Sequence, residues 1–464
     1  MAQRNIVLVV LDSVRKDFFD EYAPRIRSRS DISFEQCRAV SSWSTPSHAS
    51  MISGELPSVH GVHTHSPSFS SLPLERTFFD ELDEATTIGV SANEFASSSY
   101  EFDRYFDRFV ETSATHWYPD GADPLEALDE IDSEGASKHL QLLRSILGHP
   151  NTSKSLVNLL VAAAHSLSES RPVPKPVDDD LTPVLRAAKR EVRDVDSPYF
   201  LFLNIMEAHM PLQHVVGFDS ELHDAPWSWS SSSKGVWELM DGDHEDYWET
   251  REGVYAAAID YIDRKVASFA EWLDARDDCE TTIIVTSDHG ENHGRESEGG
   301  LVNHKSSLSE GLLHVPLEII NPPKDLESVT DFVSHAKLPR LITGIANGSV
   351  PDVTEEVITA ELVGLSAGPE PPEDYDYWDR AMRCAYRSSE KVVWDSLGET
   401  QWFELEPETS STETRVESTD GIPDWATDRF ATEIVDFKRE AVSNASKPDV
   451  SGSTEQRLKN LGYL

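Results

Sequence analysis

The chain has few cysteines and no long apolar run. Cys37, Cys279 and Cys384 are odd in number, far apart and in no metal-ligand spacing. They argue against a disulfide framework or a zinc ribbon and predict buried or idle thiols. The apolar run at residues 6–11 is too short for a signal-peptide core, and no later run reaches membrane-spanning length. We therefore expect a soluble, cytoplasmic protein without a membrane span.

Basic residues are also scarce. Lys and Arg total 40 against 83 Asp and Glu, which gives a formal net charge of −43 over 464 residues. This balance argues against a general nucleic-acid or anionic-membrane surface. The acidic excess is spread along the chain and resembles halophilic proteins, whose hydrated carboxylates keep them soluble while salt screens their repulsion. The alternative is a moderately acidic protein with an acidic partner-binding face.

Short apolar runs predict the framework of the fold. Four of them, each closed or directly followed by polar residues, lie at residues 6–11, 87–93, 199–206 and 282–286. Continuous apolar runs of this length are typical of strands buried on both faces of a parallel sheet. Helical patterns between them favour an α/β fold, in which ligands gather at the carboxyl ends of the strands.

Residues 42–54, SWSTPSHASMISG, predict a short helix with Ser44 at its mouth. Pro46 suits the first helical position, and Gly54 can end the helix in the left-handed region. Free N–H groups and the positive end of the helix dipole place the Ser44 hydroxyl where a tetrahedral anion would bind. The alternative is that Ser44 only caps the helix.

A metal site is predicted at two strand ends. Asp12 follows the first strand, and Asp288 and His289 follow residues 282–286. Two hard carboxylates and an imidazole suit one divalent metal, towards which Ser44 would point. Taken alone, Asp12 could equally cap a helix over residues 14–22.

Further side chains could act on the substrate. His48, His209, His304 and Lys305 offer donors for non-bridging oxygens or a proton for a leaving group. Each histidine taken alone could equally be a core or surface residue.

The order and spacing of these segments resemble the sulfatase family of the alkaline-phosphatase-like superfamily. The resemblance covers nearly the whole chain, and its segments are DSVR at 12–15, the Ser44 helix, PSVHGV at 57–62, EAHMP at 207–211, DHGE at 288–291, the stretch 304–317 and RLKNLGYL at 457–464. It implies a three-layer α/β sandwich with a largely parallel central sheet and a sulfuric or phosphoric ester hydrolase activity.

The resemblance also implies residue roles. Ser44 occupies the position of the formylglycine precursor in a C/S-x-P-S-R motif. The matches to metal positions are Asp12, Ser13, Asp288 and His289, and those to sulfuryl-contacting residues are His209, His304 and Lys305.

The chain departs from the family pattern at several of these positions. Ser44 replaces the usual cysteine and His48 replaces the motif's arginine, so we do not expect formylglycine at Ser44. Ser13 and His289 stand where many sulfatases have aspartate and asparagine, which favours manganese, zinc or magnesium over calcium. In both respects the chain resembles relatives that use an unmodified serine or threonine to attack phosphoesters or phosphodiesters.

We predict a catalytic domain over residues 1–335, with a helical insertion at about 113–190, and a smaller C-terminal α+β subdomain with short antiparallel strands over 336–464. The first hypothesis for function is metal-dependent hydrolysis of a small-molecule, glycan or lipid sulfate or phosphate ester through Ser44. The alternatives are a phosphodiesterase or a transferase of phosphoryl-linked head groups, and a catalytically silent protein that binds an anionic glycan or lipid head. The sequence leaves the oligomeric state open.

The charge of −43 predicts salt dependence. We expect folding and activity to require molar salt, because acidic self-repulsion is unscreened in dilute buffer. Thermal unfolding in dilute buffer and in strong salt measures this. Equal stability under the two conditions would contradict the halophilic interpretation.

Overall fold

The computed structural model describes residues 4–446, 448 and 458, apart from residues 114, 119, 134, 171–174, 179, 196–197, 243, 277–279, 325–327, 366–369, 407–410 and 418–420. Cys279 and the terminal stretch 457–464, except Leu458, lie outside the described residues. Cys37 and Cys384 are buried free thiols, as expected.

The strands, in chain order, are β1 Asn5–Leu11, β2 Ile32–Arg38, β3 Thr86–Ser91, β4 Arg108–Glu111, β5 Tyr199–Ile205, β6 Thr281–Thr286, β7 Asn292–His293, β8 Val302–Asn303, β9 Leu317–Ile320, β10 Val329–Ser334, β11 Val357–Val363, β12 Ala381–Arg387, β13 Glu390–Asp395, β14 Thr400–Leu405 and β15 Glu413–Val416. The α-helices are α1 Lys16–Tyr22, α2 Pro24–Arg29, α3 Ser44–Ser53, α4 Pro57–His60, α5 Pro124–Asp129, α6 Ala136–Gly148, α7 Thr152–Ser170, α8 Leu181–Glu191, α9 Val236–Met240, α10 Glu245–Asp274, α11 Glu310–Leu313, α12 Leu338–Ala346, α13 Tyr375–Trp378, α14 Asp424–Thr427 and α15 Ile434–Ser443.

The central sheet has eight strands in the order β10-β2-β9-β6-β1-β5-β3-β4. Only β9 runs antiparallel to its neighbours, β2 and β6, so the expectation of a largely parallel sheet is confirmed. The four predicted strands become β1, β3, β5 and β6. In β1 every residue is buried, which explains its unbroken apolar run.

Helices cover both faces of this sheet and form a three-layer arrangement. Val7 and Val9 of β1 belong to a core that includes residues of α8 and α10. Ile6, Leu8 and Val10 face the opposite way, into a core shared with α3 and α12. The alternation follows from the period of two along a strand. α8, at the end of the predicted insertion, packs on β3 and β5 as part of the first layer.

Two helical segments differ from the sequence pattern. Residues 77–82 have a sequence typical of an α-helix, but they form a short 3-10 helix, Phe78–Glu81. α10 begins at Glu245, earlier than the apolar pattern at 255–273 indicates, because its first turns carry mostly polar residues. No helix among the described residues is long and apolar enough to cross a membrane.

The second sheet is an antiparallel meander in the order β11-β12-β13-β14-β15, with α15 packed against β12. A buried ionic cluster joins it to the part of the chain that carries the central sheet. Lys391 Nζ of β13 lies 2.6 Å from Glu413 Oε2 and 3.1 Å from Glu310 Oε1 of α11. Arg38 of β2 reaches the same Glu310 carboxylate at 2.8 Å.

We predict that Lys391→Met destabilises the protein by about 3–5 kcal/mol, because the buried carboxylates of Glu310 and Glu413 lose their shared cation. Denaturant unfolding measures the free energy. The exposed Lys324 provides a matched control, since Lys324→Met should change stability by less than about 0.5 kcal/mol. Equal stability of the two variants would show that Lys391 does not hold the sheets together.

Candidate active site

The predicted metal ligands meet at the carboxyl edge of the central sheet. β1 and β6 are parallel neighbours, so the residues that follow them, Asp12 and Asp288, emerge side by side. One ligand atom each from Asp12, Asp288 and His289 lies within 4.8 Å of the other two, and all three residues are buried.

Ser44 is the first residue of α3, and its hydroxyl faces this cluster. Ser44 Oγ donates to Asp12 Oδ2 at 3.2 Å and lies 3.5 Å from His289 Nε2. The alternative that Ser44 caps the helix is wrong, because Trp43 holds the cap position and no side chain caps the helix. Pro46 is the third helical residue and not the first, whereas Gly54 ends the helix with φ 75°, as predicted.

The carboxylate of Asp12 is fixed by neighbours on three segments. Asn93 Nδ2 donates to Asp12 Oδ2 at 2.7 Å, and Ser13 Oγ donates to Asp12 Oδ1 at 2.8 Å. Burial raises the pKa of Asp12, but His209, His289 and the Ser13 hydroxyl together lower it below its usual value. Asp12 does not cap a helix, because α1 begins only at Lys16.

The other two ligand candidates are arranged for a cation. Burial and the charge of Asp12 raise the pKa of Asp288, whose Oδ2 accepts no hydrogen bond within the described part of the chain. His289 Nδ1 donates to the Gly290 carbonyl at 2.8 Å, which leaves the Nε2 lone pair facing Asp288 Oδ2 at 3.5 Å. Burial opposes protonation of His289, yet Asp288 and Asp12 raise its pKa. The donor set therefore fits a divalent metal.

The side chain of His48, a residue of α3, contacts the first turn of the same helix. Asn204 Nδ2 lies 3.0 Å from His48 Nε2, and an amide donor there makes Nε2 an acceptor. His48 Nδ1 then carries the hydrogen and donates to the Ser44 carbonyl at 2.7 Å. Both ring nitrogens are thus occupied by protein groups.

The remaining predicted residues, His209, His304 and Lys305, are buried close to the same cluster. The His304 ring centroid is 5.2 Å from that of His289 and 6.1 Å from that of His209. Burial and the neighbouring cationic or imidazole groups hold the pKa of His304 well below its usual value. Burial also lowers the pKa of Lys305 to about 7, against the opposing charge of Glu291. His304 and Lys305 are thus weakly basic nitrogen groups close to the candidate metal ligands.

The loops that carry the two aspartates are joined to each other and to α10. Tyr255 of α10 donates to the Ser13 carbonyl and accepts from the Arg15 N–H at 3.0 Å. The buried Arg15 side chain donates to the Glu291 carbonyl at 2.8 Å, beyond β6. Ser13 has a φ of 62°, so the loop after β1 turns sharply before these contacts form.

Sequence reasoning missed Asn93, Asn204 and Tyr255 as parts of the site. The first two lie at or just beyond the ends of β3 and β5, and the polar ends of those runs were the available signal. Nothing in the sequence pairs Asn204 with His48, which is 156 positions away. In the sequence, Tyr255 lies within the pattern of an amphipathic helix, and nothing there distinguishes it from a residue that only packs.

Comparisons with known proteins concern the family and the fold. The sequence model of the Sulfatase family matches residues 4–348. No curated protein sequence matches the chain.

Solved structures share the fold at low identity. A phosphonate monoester hydrolase from Silicibacter pomeroyi is similar at 14% identity and a TM-score of 0.59, covering 99% of this chain and 96% of that one. The phosphonate monoester hydrolase of Agrobacterium radiobacter has 14% identity and a TM-score of 0.57, covering 88% and 91%. BT4656, solved with its substrate D-glucosamine-2-N,6-O-disulfate, has 12% identity and a TM-score of 0.56, covering 99% and 98%.

Asp17 supports the Arg15 contacts and generates a pH prediction. It binds Arg15 through two hydrogen bonds, of 2.9 and 2.8 Å. Burial raises the pKa of Asp17, but Arg15 and Arg295 lower it far more, so the net shift is downward from 3.8. Because the folded-state pKa lies below the unfolded value, this stabilisation is present above about pH 4 and is lost as the pH falls.

We predict that Asp17→Asn lowers the free energy of unfolding by about 1–3 kcal/mol at pH 7, since hydrogen bonds between charged groups are lost. The difference from the parent protein should shrink as the pH falls below about 4. Denaturant unfolding across this range measures it. A difference that stays constant with pH would contradict the proposed ionisation of Asp17.

Proposed function

The chain belongs to the sulfatase family, and from that premise we propose that it is a metal-dependent hydrolase in which Ser44 attacks a sulfate or phosphate ester. Its membership of the family makes it an ester hydrolase. The metal dependence, the nucleophile and the substrate are the proposed parts.

One observation carries the proposal: the Ser44 hydroxyl lies between Asp12 Oδ2 and His289 Nε2 at the amino end of α3. A serine that only packed or capped would not face a buried pair of carboxylates. The helix dipole favours both an alkoxide on Ser44 and the anionic group it attacks.

Asp12, Asp288 and His289 would hold the metal, with Ser13 supporting Asp12 through its hydroxyl. When bound, a divalent metal lowers the pKa of a hydroxyl next to it and neutralises charge on the ester oxygens. Asn93 and Ser13 orient the Asp12 carboxylate. His48 acts as a positioning residue, because its two ring nitrogens are engaged by the Ser44 carbonyl and by Asn204.

In the proposed reaction, the Ser44 hydroxyl releases its proton to solvent water, and Ser44 Oγ forms a bond to phosphorus or sulfur as the bond to the alcohol oxygen breaks. The departing alcohol oxygen takes a proton from one of the nearby nitrogen groups, His209, His304 or Lys305. Water then cleaves the ester on Ser44 and restores the serine. Lys305, with its pKa lowered to about 7, can both stabilise the anion and give up a proton near neutral pH.

We propose that Ser44 acts without conversion to formylglycine, because His48 replaces the arginine of the maturation motif. Both phosphorus esters and sulfur esters are candidate substrates, because the fold is similar to that of phosphonate monoester hydrolases and to that of a protein solved with a disulfated glucosamine. The two substrate classes can be separated by measuring turnover of nitrophenyl sulfate, phosphate, phosphonate and phosphodiester, each with manganese, zinc, magnesium or calcium.

We predict that Ser44→Ala lowers kcat by roughly 10⁴-fold or more, as removal of a covalent nucleophile does elsewhere. The variant should stay folded and keep its metal, because Asp12, Asp288 and His289 are unchanged. Asp288→Asn should be equally inactive but should lose the metal. Elemental analysis of the purified variants, beside steady-state rates, measures the two effects.

The outcomes distinguish the roles. Substantial activity of Ser44→Ala at saturating metal would exclude Ser44 as the nucleophile. Normal metal content in Asp288→Asn would instead exclude the proposed metal site.

A further inference from the structure

A strongly basic cleft lies on the outer face of α8, in a protein whose carboxylates outnumber its cations about twofold. The cleft has a volume of 450 Å³. Its cationic lining comes from α7, α8, the turn after α8, and α10, and consists of Lys154, Arg186, Lys189, Arg190, Arg193 and Lys265. No carboxylate lines it within the described ranges. We call it the α8 cleft.

Among the described residues, carboxylates pair with two of these six cations. Asp120 pairs with Lys154, and Glu191 pairs with Arg190 at 2.8 Å. For the other four, Arg186, Lys189, Arg193 and Lys265, the described residues place no carboxylate within ion-pair distance. Elsewhere in the fold, most arginines and lysines near the core have such a partner.

Aromatic rings contact three of these four cations without neutralising them. The Arg186 guanidinium lies 4.8 Å from the Trp117 ring and 5.0 Å from the Tyr118 ring. Lys189 Nζ lies 5.3 Å from the Trp272 ring, and Lys265 Nζ lies 4.9 Å from the Tyr261 ring. Such contacts orient a cation and leave its charge available to a ligand.

The cations also repel one another. Burial lowers the pKa of Lys189, and the charges of Arg193 and Lys265 lower it further. An anion bound among them would relieve this repulsion.

The spacing of the cations indicates the size of that anion. Four of them follow the i, i+3, i+4, i+7 pattern of one helix face, which spans about 10 Å: Arg186, Lys189, Arg190 and Arg193. One phosphate or sulfate cannot contact the whole row.

The α8 cleft is separate from the candidate active site. It shares no lining residue with the cluster around Ser44. Ser44 begins α3, on the opposite face of the sheet from α8. The cleft volume lies within the range of small-molecule pockets, about 300–1,000 Å³.

We propose that the α8 cleft binds a small polyanion carrying two or more phosphate or sulfate groups. Arginine matches the oxygens of either group with two parallel hydrogen bonds, and lysine adds point charges. The proposal does not depend on the reaction proposed for Ser44.

The test is calorimetric titration of the full-length protein with tripolyphosphate and, separately, with a multiply sulfated disaccharide. The titration uses the Asp288→Asn protein after treatment with chelator. In this protein a probe cannot bind to a metal beside Ser44, so any binding that is measured comes from another site. We expect saturable one-site binding of at least one probe in this background, and much weaker binding of inorganic phosphate. The probe that binds identifies the source of the anionic groups.

Paired charge reversals then locate the site. Lys189→Glu with Lys265→Glu should raise the dissociation constant by at least about tenfold, because charge-assisted hydrogen bonds are lost. Lys324→Glu with Arg340→Glu changes the net charge equally at exposed positions outside the cleft, and should leave the constant within about twofold.

Three results would overturn the proposal. The first is an equal loss of affinity in both pairs, which would indicate general electrostatics. The second is no binding of either probe. The third is binding of polyglutamate but of neither probe, which would assign the cleft to an acidic protein segment.

Discussion

The site depends on the meeting of two buried carboxylates at the ends of adjacent central strands. Asp12 and Asp288 are both fully buried, where like charges repel strongly and water cannot screen them. The pKa values of the two groups shift in opposite directions: His209, His289 and the Ser13 hydroxyl outweigh burial and lower the pKa of Asp12, while burial and the charge of Asp12 raise the pKa of Asp288. A divalent cation is the simplest partner that satisfies both, and His289 completes a donor set for it.

Much of the surrounding structure keeps these carboxylates in place. Arg15 and Tyr255 join the loop after β1 to the loop after β6 and to α10, so the two aspartates cannot separate without breaking buried hydrogen bonds. On the other side, His48 links the first turn of α3 to Asn204 at the end of β5. The hydroxyl of Ser44 is therefore fixed relative to the acids by backbone contacts and not by its own side chain alone.

The sequence was informative where burial is uniform. β1, β5 and β6 could be predicted because continuous apolar runs arise when both faces of a strand are covered, and their polar ends located the site. β2, with its mixture of apolar and polar residues, gave no such signal. The capping alternative for Ser44 failed because the helix begins one residue earlier than a cap requires. The pairings of Asn93 with Asp12 and of Asn204 with His48 join distant parts of the chain and follow only from the strand order.

The central claim is that unmodified Ser44 attacks the ester. Peptide mass analysis of the segment containing Ser44, before substrate and after rapid quenching during turnover, tests it most directly. The account predicts ordinary serine in the resting protein and a phosphoryl or sulfuryl group on Ser44 in the quenched sample. A resting peptide lighter by about two hydrogens would show an aldehyde in place of the alcohol. Consumption of substrate in a single turnover, with Ser44 never labelled, would show that another group attacks.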